Sequence, residues 1–394
     1  MSVGSLLFSR LPTLVVRAIR RTAGRRVCDG TSAHPIINIL VLRFDNMGDV
    51  VMSTPIFREI KQHYPEAELS VAVQDRCRQI VETNPFVDKV LGIAPIVQIP
   101  FLVNFLALLS TIVFYFRHLR TRNFDVVLHP RVGSDARNES LLIALINAPL
   151  SIGYSDDTPR WLGRSERNRV LKRVLQQPGP QNEVFSNAAI VCALTQVKFF
   201  PKTEIFLSND DLAFAAKKLA PFPSDSLVIA LGFGAMLGRR QWPSSKWVET
   251  LNMLARKYRL SVLILAAQAD GKEAEHISSA LQMNVEILIG ASIREVAACI
   301  GKAHMFVGVD SGLAHIAAAV NVPVVIVSPH PKNGDLAHYN SPVRFAPFGD
   351  KVSVVSPSSA IPPCSLYCHM QSAHCILQIT PQEVVEACAR ILKI

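Results

Sequence analysis

Charge, aromatic rings and cysteine are all scarce in this sequence, and each shortage narrows what the chain can be. Only 18% of its 394 residues are charged against 49% hydrophobic, the reverse of the balance that keeps a chain disordered. Aromatic residues make up 7%, and none interleave with the arginines in the stacking pattern of a nucleic-acid binder, so nucleic acid is not an expected partner. Eight cysteines are too few for a disulfide scaffold in so long a chain. Cys28, Cys77, Cys192 and Cys299 stand singly among apolar stretches, which favours reduced thiols. The N-terminus lacks the unbroken apolar centre and small-residue cleavage site of a secretory signal. Acidic residues are outnumbered, 31 against 41 basic, and the formal charge of +10 implies attraction to something anionic.

Two segments point that attraction toward a membrane surface. Residues 1–33 alternate apolar residues with Arg10, Arg17, Arg20, Arg21, Arg25 and Arg26, which as a helix gives a cationic amphipathic face. Residues 93–116, "IAPIVQIPFLVNFLALLSTIVFYF", carry no charge and are nearly long enough to cross a bilayer. Pro95, Gln98, Pro100 and Asn104 interrupt them, and Arg117, Arg120 and Arg122 follow, so a helix lying in the interface, or partly buried against the domain, is the better reading. A peripheral position on the inner face of the cytoplasmic membrane is expected.

The rest alternates short apolar runs with amphipathic stretches, the pattern of doubly wound α/β units, and the length calls for two domains. "INILVLRF" (37–44), "ELSVAVQ" (68–74) and "DVVLHP" (125–130) are strands of the first, with one helix over 49–65. "LVIALGF" (227–233), "SVLILAA" (261–267), "VEILIG" (285–290), "MFVGVD" (305–310) and "VPVVIVSP" (322–329) are strands of the second. The expected division is a basic segment 1–33, a Rossmann-like domain 34–205, a linker 206–226, a second Rossmann-like domain 227–355 and a Cys-bearing C-terminal segment 356–394.

Ligands of such sheets bind where strands run into helices, and three such junctions carry unusual chemistry. In "VLRFDNMGDVVMSTP" (41–55), Gly48 permits a tight turn and Asp49 begins a helix, a position that also suits a plain helix cap. In "GFGAMLGRRQWPSSKW" (232–247), Gly232 and Gly234 only superficially match a dinucleotide fingerprint, because Leu237 replaces its third glycine. Arg239 and Arg240 there suit phosphate oxygens, or a merely solvated basic loop. In "VGVDSGLAHIAAAVNVPVV" (307–325), Ser311 and Gly312 open a helix whose free N–H groups could hold a diphosphate. Asp310 would then face neutral sugar hydroxyls, and His315 is either a buried core histidine or part of the site. Cys364, Cys368 and Cys375, with His369 and His374 between them, hint at metal, but the spacing is not the paired C-x-x-C of a zinc ribbon, and plain thiols are favoured.

These stretches, with "NPFVDKVL" (84–91), "RRQWPSSKW" and "PCSLYCHMQSAHCILQITPQEVVEA" (363–387), resemble glycosyltransferase family 9, the ADP-heptose:lipopolysaccharide heptosyltransferases, from about residue 36 to the C-terminus. The resemblance implies GT-B architecture, two Rossmann-like doubly wound domains facing a cleft, and metal-independent, inverting transfer of a sugar, heptose first, from an ADP-sugar to a lipid-linked, anionic saccharide such as the lipopolysaccharide core. The nucleotide sugar is a co-substrate, and no cofactor is implied. By the same likeness Asp49 is the general base, and Arg240, where the family usually has Lys, neutralises the departing diphosphate. Ser311, Gly312 and Leu313 offer N–H groups to the same phosphates, and Asp310 grips the sugar. Asp270 stands near the ribose, and Gly48, Gly234 and His315 complete the donor site. Ala235 and Met236 replace the small hydroxyl residues usual in the family, which leaves a different nucleotide sugar open. The alternatives are a non-catalytic, membrane-associated nucleotide-sugar-binding protein and, with little support, a nicotinamide-dependent oxidoreductase.

Overall fold

The run Asn38–Arg43 is apolar but for its ends because its strand, β1, is covered on both faces, and Ile39 to Leu42 are fully buried. The computed structural model describes residues 35–95, 102–156 and 166–392, so the basic amphipathic segment read over 1–33 lies outside the described residues. The described chain forms two compact units.

The first unit takes residues 35–45, Ile56–Pro178 and Ser186–Phe199. Its sheet is β1 with β2 (Glu68–Gln74), β3 (Lys89–Ile93), β4 (Val126–His129), β5 (Leu150–Tyr154) and β6 (Arg173–Leu175), in the order β3-β2-β1-β4-β5-β6. Every pairing is parallel. Its core packs Leu40, Leu42 and Phe44 against Phe114, Tyr115, Leu119 and Val127, and Phe114 meets Phe44 edge to face at 5.4 Å. Each fully buried aliphatic or aromatic side chain contributes about 1.5–3 kcal/mol.

The second unit takes Asn46–Pro55, Gly179–Phe185 and Phe200 onward. It repeats the arrangement with β7 (Leu227–Gly232), β8 (Leu260–Ala266), β9 (Asn284–Ile289), β10 (Met305–Val309), β11 (Val324–Val327) and β12 (Val352–Val355), ordered β12-β11-β10-β7-β8-β9 and again parallel throughout. In each sheet the strand order reverses beside the first strand, between β1 and β4 and between β7 and β10. Doubly wound folds open their ligand crevice at that point. The fold class is therefore as expected: two Rossmann-like doubly wound sheets of GT-B type.

Several local expectations need correction. The helix read over 49–65 is two, α1 (Met47–Met52) and α2 (Thr54–His63). Pro55 has no N–H to continue the ladder. Ser53 Oγ and Thr54 Oγ1 instead donate to the carbonyls of Asp49 and Val51, both at 2.8 Å, where the helix stops. Strands β3, β5, β6 and β12 went unread because they are short or only partly covered, and β6 exposes two of its three residues. The interval read as a linker, 206–226, carries a helix, α4 (Asn209–Leu219), capped by Ser208, and α5 (Ser244–Ala255) and α6 (Ile293–Gly301) follow it in the second unit.

The described part of the apolar stretch 93–116 forms α3 (Val103–Phe114), continued by a wider turn to Leu119. Residues 96–101 lie outside the described residues. Phe114 and Thr111 face inward, Thr111 Oγ1 donating to Arg137 O at 3.0 Å. Leu102, Phe105, Leu109, Val113 and Phe116, spaced three or four residues apart, stand exposed along the opposite side. No helix among the described residues is long and apolar enough to cross a membrane.

Candidate active site

Asp49 lies in the third helical position of α1, and the cap before it is Asn46. The Asp49 carboxylate accepts from Asn46 N–H at 3.3 Å, so the Asp itself is not the cap. Gly48 is likewise inside the helix and makes no turn. Its lack of a side chain serves a close approach: a Cβ there would stand 2.7 Å from His315 Cδ2. His315 belongs to α7 (Gly312–Ala319), where Gly312 answers the same need, since a Cβ on it would meet Met47 Sδ at 2.8 Å. Two glycines thus let α1 pack against the start of α7 within the second unit.

That start is built to receive something polar. Ser311 is the extended residue before the helix, and its Oγ is buried without a hydrogen-bond partner among the described residues. The first N–H groups of α7 have no intrahelical acceptor, as at any helix start. His315 is buried and its Nδ1 is also unpartnered. Burial pushes the imidazole down to about 4, with Asp49 acting against the shift and Arg240 adding to it. His315 is therefore neutral at pH 7, and both charged groups act on it.

Arg240 sits in a tight turn, Gly238–Arg240, after β7. Its Nη1 donates to Asp310 O at 3.1 Å, its Nη2 donates to Asn340 Oδ1 at 2.8 Å, and Nη2 stands 3.4 Å from Asp310 Oδ2. Its Nε is buried without a hydrogen-bond partner among the described residues. Arg239 instead reaches the Tyr339 hydroxyl at 3.4 Å. The two arginines read as a flexible phosphate clamp are thus anchored to the loop at 339–340. Asp310 follows β10 almost fully buried, and burial raises its carboxyl above the usual range despite opposing pulls from Arg240 and His330. Across the strand-order reversal, Gly234 follows β7 and approaches Asp270, whose Oδ2 would lie 2.9 Å from a Cβ there. Leu313 is half-buried in the first turn of α7. The second unit therefore gathers Asp49, His315, Arg240, Asp310, Ser311 and Gly312, with Gly234 and Asp270 together beside them after β7 and β8.

The first unit has a charged cluster at its own reversal point that the sequence reading missed. Asp45, just past β1, pairs with Arg43 at 3.3 Å and with Arg131. Arg167, wholly buried, binds Asp135 Oδ1 through Nη2 at 2.6 Å and Nε at 3.2 Å. His129, the last residue of β4, is buried with neither ring nitrogen hydrogen-bonded among the described residues, and burial, then Arg167, push it down to about 3. Glu139 accepts from Arg137 N–H at 2.8 Å, while burial and then Asp135 push it up to about 7. The signal was available: "HPRVGSDARNE" (129–139) packs five ionisable residues behind an apolar strand.

None of the seven cysteines in the described residues is in a disulfide, and four of them lie beyond β12. Cys364, Cys368 and Cys375 are buried together beside His374.

With this geometry in hand, comparison with known proteins is informative. The sequence model of Glycosyltransferase family 9 (heptosyltransferase) matches residues 113–365, more than half of the chain. The lipopolysaccharide core heptosyltransferase OpsX of Haemophilus influenzae is 23% identical over 330 residues, covering 81% of this chain and 84% of its own. Among solved structures, a glycosyl transferase family 9 protein of Veillonella parvula superposes with a TM-score of 0.72 at 14% identity, covering 92% of this chain and 99% of that one. Escherichia coli ADP-heptose lps heptosyltransferase II gives 0.67 at 19% identity, with 91% and 99% covered.

Proposed function

The chain belongs to glycosyltransferase family 9, and on that premise we propose that it moves heptose, with inversion at the anomeric carbon, from an ADP-sugar to the lipopolysaccharide core or a related lipid-linked saccharide. Asp49 takes the proton of the acceptor hydroxyl as that oxygen attacks. The donor diphosphate sits at the start of α7, on the N–H groups of Ser311, Gly312 and Leu313, with Arg240 offsetting its growing charge as it departs. These donors fill the place a divalent metal takes in other transferases. Asp310 and Asp270 bind hydroxyls of the sugar and the ribose, with Gly234 giving the Asp270 carboxylate room and Gly48 doing the same for the His315 ring beside Asp49. The observation that carries this reading is geometric: Gly48, next to Asp49, lies so close to His315 that a Cβ would stand 2.7 Å from its ring, and Arg240 Nη1 donates to the Asp310 carbonyl at 3.1 Å, just before the helix that Ser311 and Gly312 open.

The acceptor is a lipid-linked anion, and the enzyme works on the inner face of the cytoplasmic membrane. Support comes from the exposed stripe on α3, which ends beside exposed Arg117 and Arg120. Apolar side chains with flanking cations suit an anionic interface. The test is a panel of nucleotide sugars screened by thermal shift and then by turnover with core saccharide acceptors. ADP-heptose should stabilise the protein and be consumed. Stabilisation and turnover with another nucleotide sugar instead would replace the donor assignment, and donor binding without turnover by any acceptor would refute the transfer assignment.

A further inference from the structure

Between β12 and α8 (Pro381–Leu392) the chain has little regular structure, and residues 356–374 have none. They carry a small apolar cluster of their own, in which Cys364, Cys368 and Cys375 pack with Ala360, Ile361 and Met370. So small a cluster is a weak reason for so long a segment to hold one conformation. We propose that Cys364, Cys368, His374 and Cys375 form a tetrahedral structural zinc site that fixes this segment beneath the loops carrying Arg240 and Asn340.

The geometry is that of a ligand set. One atom from each of the four residues lies within 4.8 Å of all the others. His374 Nδ1 is 3.5 Å from Cys375 Sγ and 3.7 Å from Cys364 Sγ. Zinc bonds of about 2.3 Å to sulfur and 2.0–2.1 Å to nitrogen, at tetrahedral angles, set ligand edges of about 3.6 Å for sulfur to nitrogen and 3.8 Å for sulfur to sulfur. All three thiols are buried, none is in a disulfide, and the set selects His374 over the neighbouring His369. Three thiolates and one imidazole favour zinc over magnesium or calcium. Binding releases the three thiol protons to solvent and leaves His374 neutral, its Nδ1 lone pair on the metal. With four protein ligands there is no open position for substrate, so the ion's role is mechanical.

What the segment touches gives the site its consequence. Gly238, in the turn that carries Arg240, lies so close to the Gln371 carbonyl that no Cβ would fit. Leu366 O accepts from Asp335 N–H at 2.9 Å. Tyr367 stacks on His338 at 4.0 Å, two residues before Asn340. Lys246 Nζ binds the carbonyls of Leu377 and Ile379 at 2.7 Å each. The four ligands bracket the contacts at 366, 367 and 371, and Cys375 stands two residues before Leu377, so the zinc holds the backing of the turn from which Arg240 reaches Asp310.

The experiment is metal analysis of full-length protein carrying no histidine tag, by inductively coupled plasma mass spectrometry after dialysis. About one zinc per chain is expected, falling below about 0.2 in Cys364→Ala/Cys368→Ala. Should that variant fail to fold, cobalt exchanged into the wild type should give thiolate-to-cobalt charge-transfer bands and tetrahedral d–d bands. Zinc-free wild type that takes up neither zinc nor cobalt overturns the site, as does a disulfide between any two of the three cysteines by mass spectrometry. One equivalent of iron in its place overturns the choice of ion. Stripping the metal should also speed proteolysis within 356–380 and cut turnover about tenfold, both restored by added zinc. Unchanged proteolysis would refute the mechanical role. Metal content and proteolysis are read without any sugar donor, so their outcome is independent of the reaction proposed above.

Discussion

The two strand-order reversals are built on one topology and furnished in opposite ways. Beside β1 and β4 the space is filled by the chain's own charges: Arg167 on Asp135, Arg43 and Arg131 on Asp45, and a buried His129 and Glu139. Beside β7 and β10, Gly234 and Gly312 let Asp270 and Met47 come close, and the helix start there presents Ser311 Oγ and His315 Nδ1 without hydrogen-bond partners among the described residues. Topology determines where a crevice opens. Whether it is kept for a ligand or closed by internal ion pairs depends on a few residues just past the strand ends.

If the first reversal point is structural, cutting its ion pairs should act on stability alone. Arg167→Met takes the buried guanidinium from the partly buried Asp135 carboxylate, and should destabilise the fold by roughly 2–4 kcal/mol in urea titrations. Donor affinity in the surviving folded protein should be unchanged, and a matched loss of donor binding would erase the contrast. At the second reversal point, Asp49→Asn should lower turnover about 10²-fold or more with donor Kd nearly unaltered, which isothermal titration and steady-state rates can separate. Equal turnover would remove Asp49 from the chemistry.

Smaller effects sharpen the comparison. Gly48→Ala puts a methyl against the His315 ring and should cost about 1–3 kcal/mol in thermal unfolding, while Ala at Gly133, with open space around it but a φ of +90°, tests backbone strain at the first reversal point instead. Acid should act through His315 and His129. Both are held neutral, at about 4 and about 3, so the unfolded chain binds more protons than the folded one as pH falls from about 6.5. Their stabilising contribution is complete above 6.5 and is lost on the way down to those values. Glu139, raised to about 7, works the other way, since the folded state holds its proton longer between about 4.5 and 7. Two histidines against one carboxyl leave a net loss, so the melting temperature should fall between pH 6.5 and 4, and fall less in His315→Gln.

Both sheets were legible in outline because doubly covered strands must be apolar, and the glycine-bearing turns marked the second reversal point. The break at Pro55 could have been read from its missing N–H. Other features depended on pairings distant in sequence. Nothing near Gly48 announces His315, and nothing in Arg240 announces that Asp310 and Asn340 hold it. His129 and Glu139 look unremarkable until burial strips water from them. Edge strands such as β6 are hard to read because half their surface stays wet.

The stripe of Leu102, Phe105, Leu109, Val113 and Phe116 also bears on how the protein behaves in a test tube. Concentrated in plain buffer, molecules should clump through these rows, with light scattering rising steeply with concentration. A mild detergent or a small lipid disc should abolish the clumping, and Leu109→Ser with Val113→Ser should do so without either.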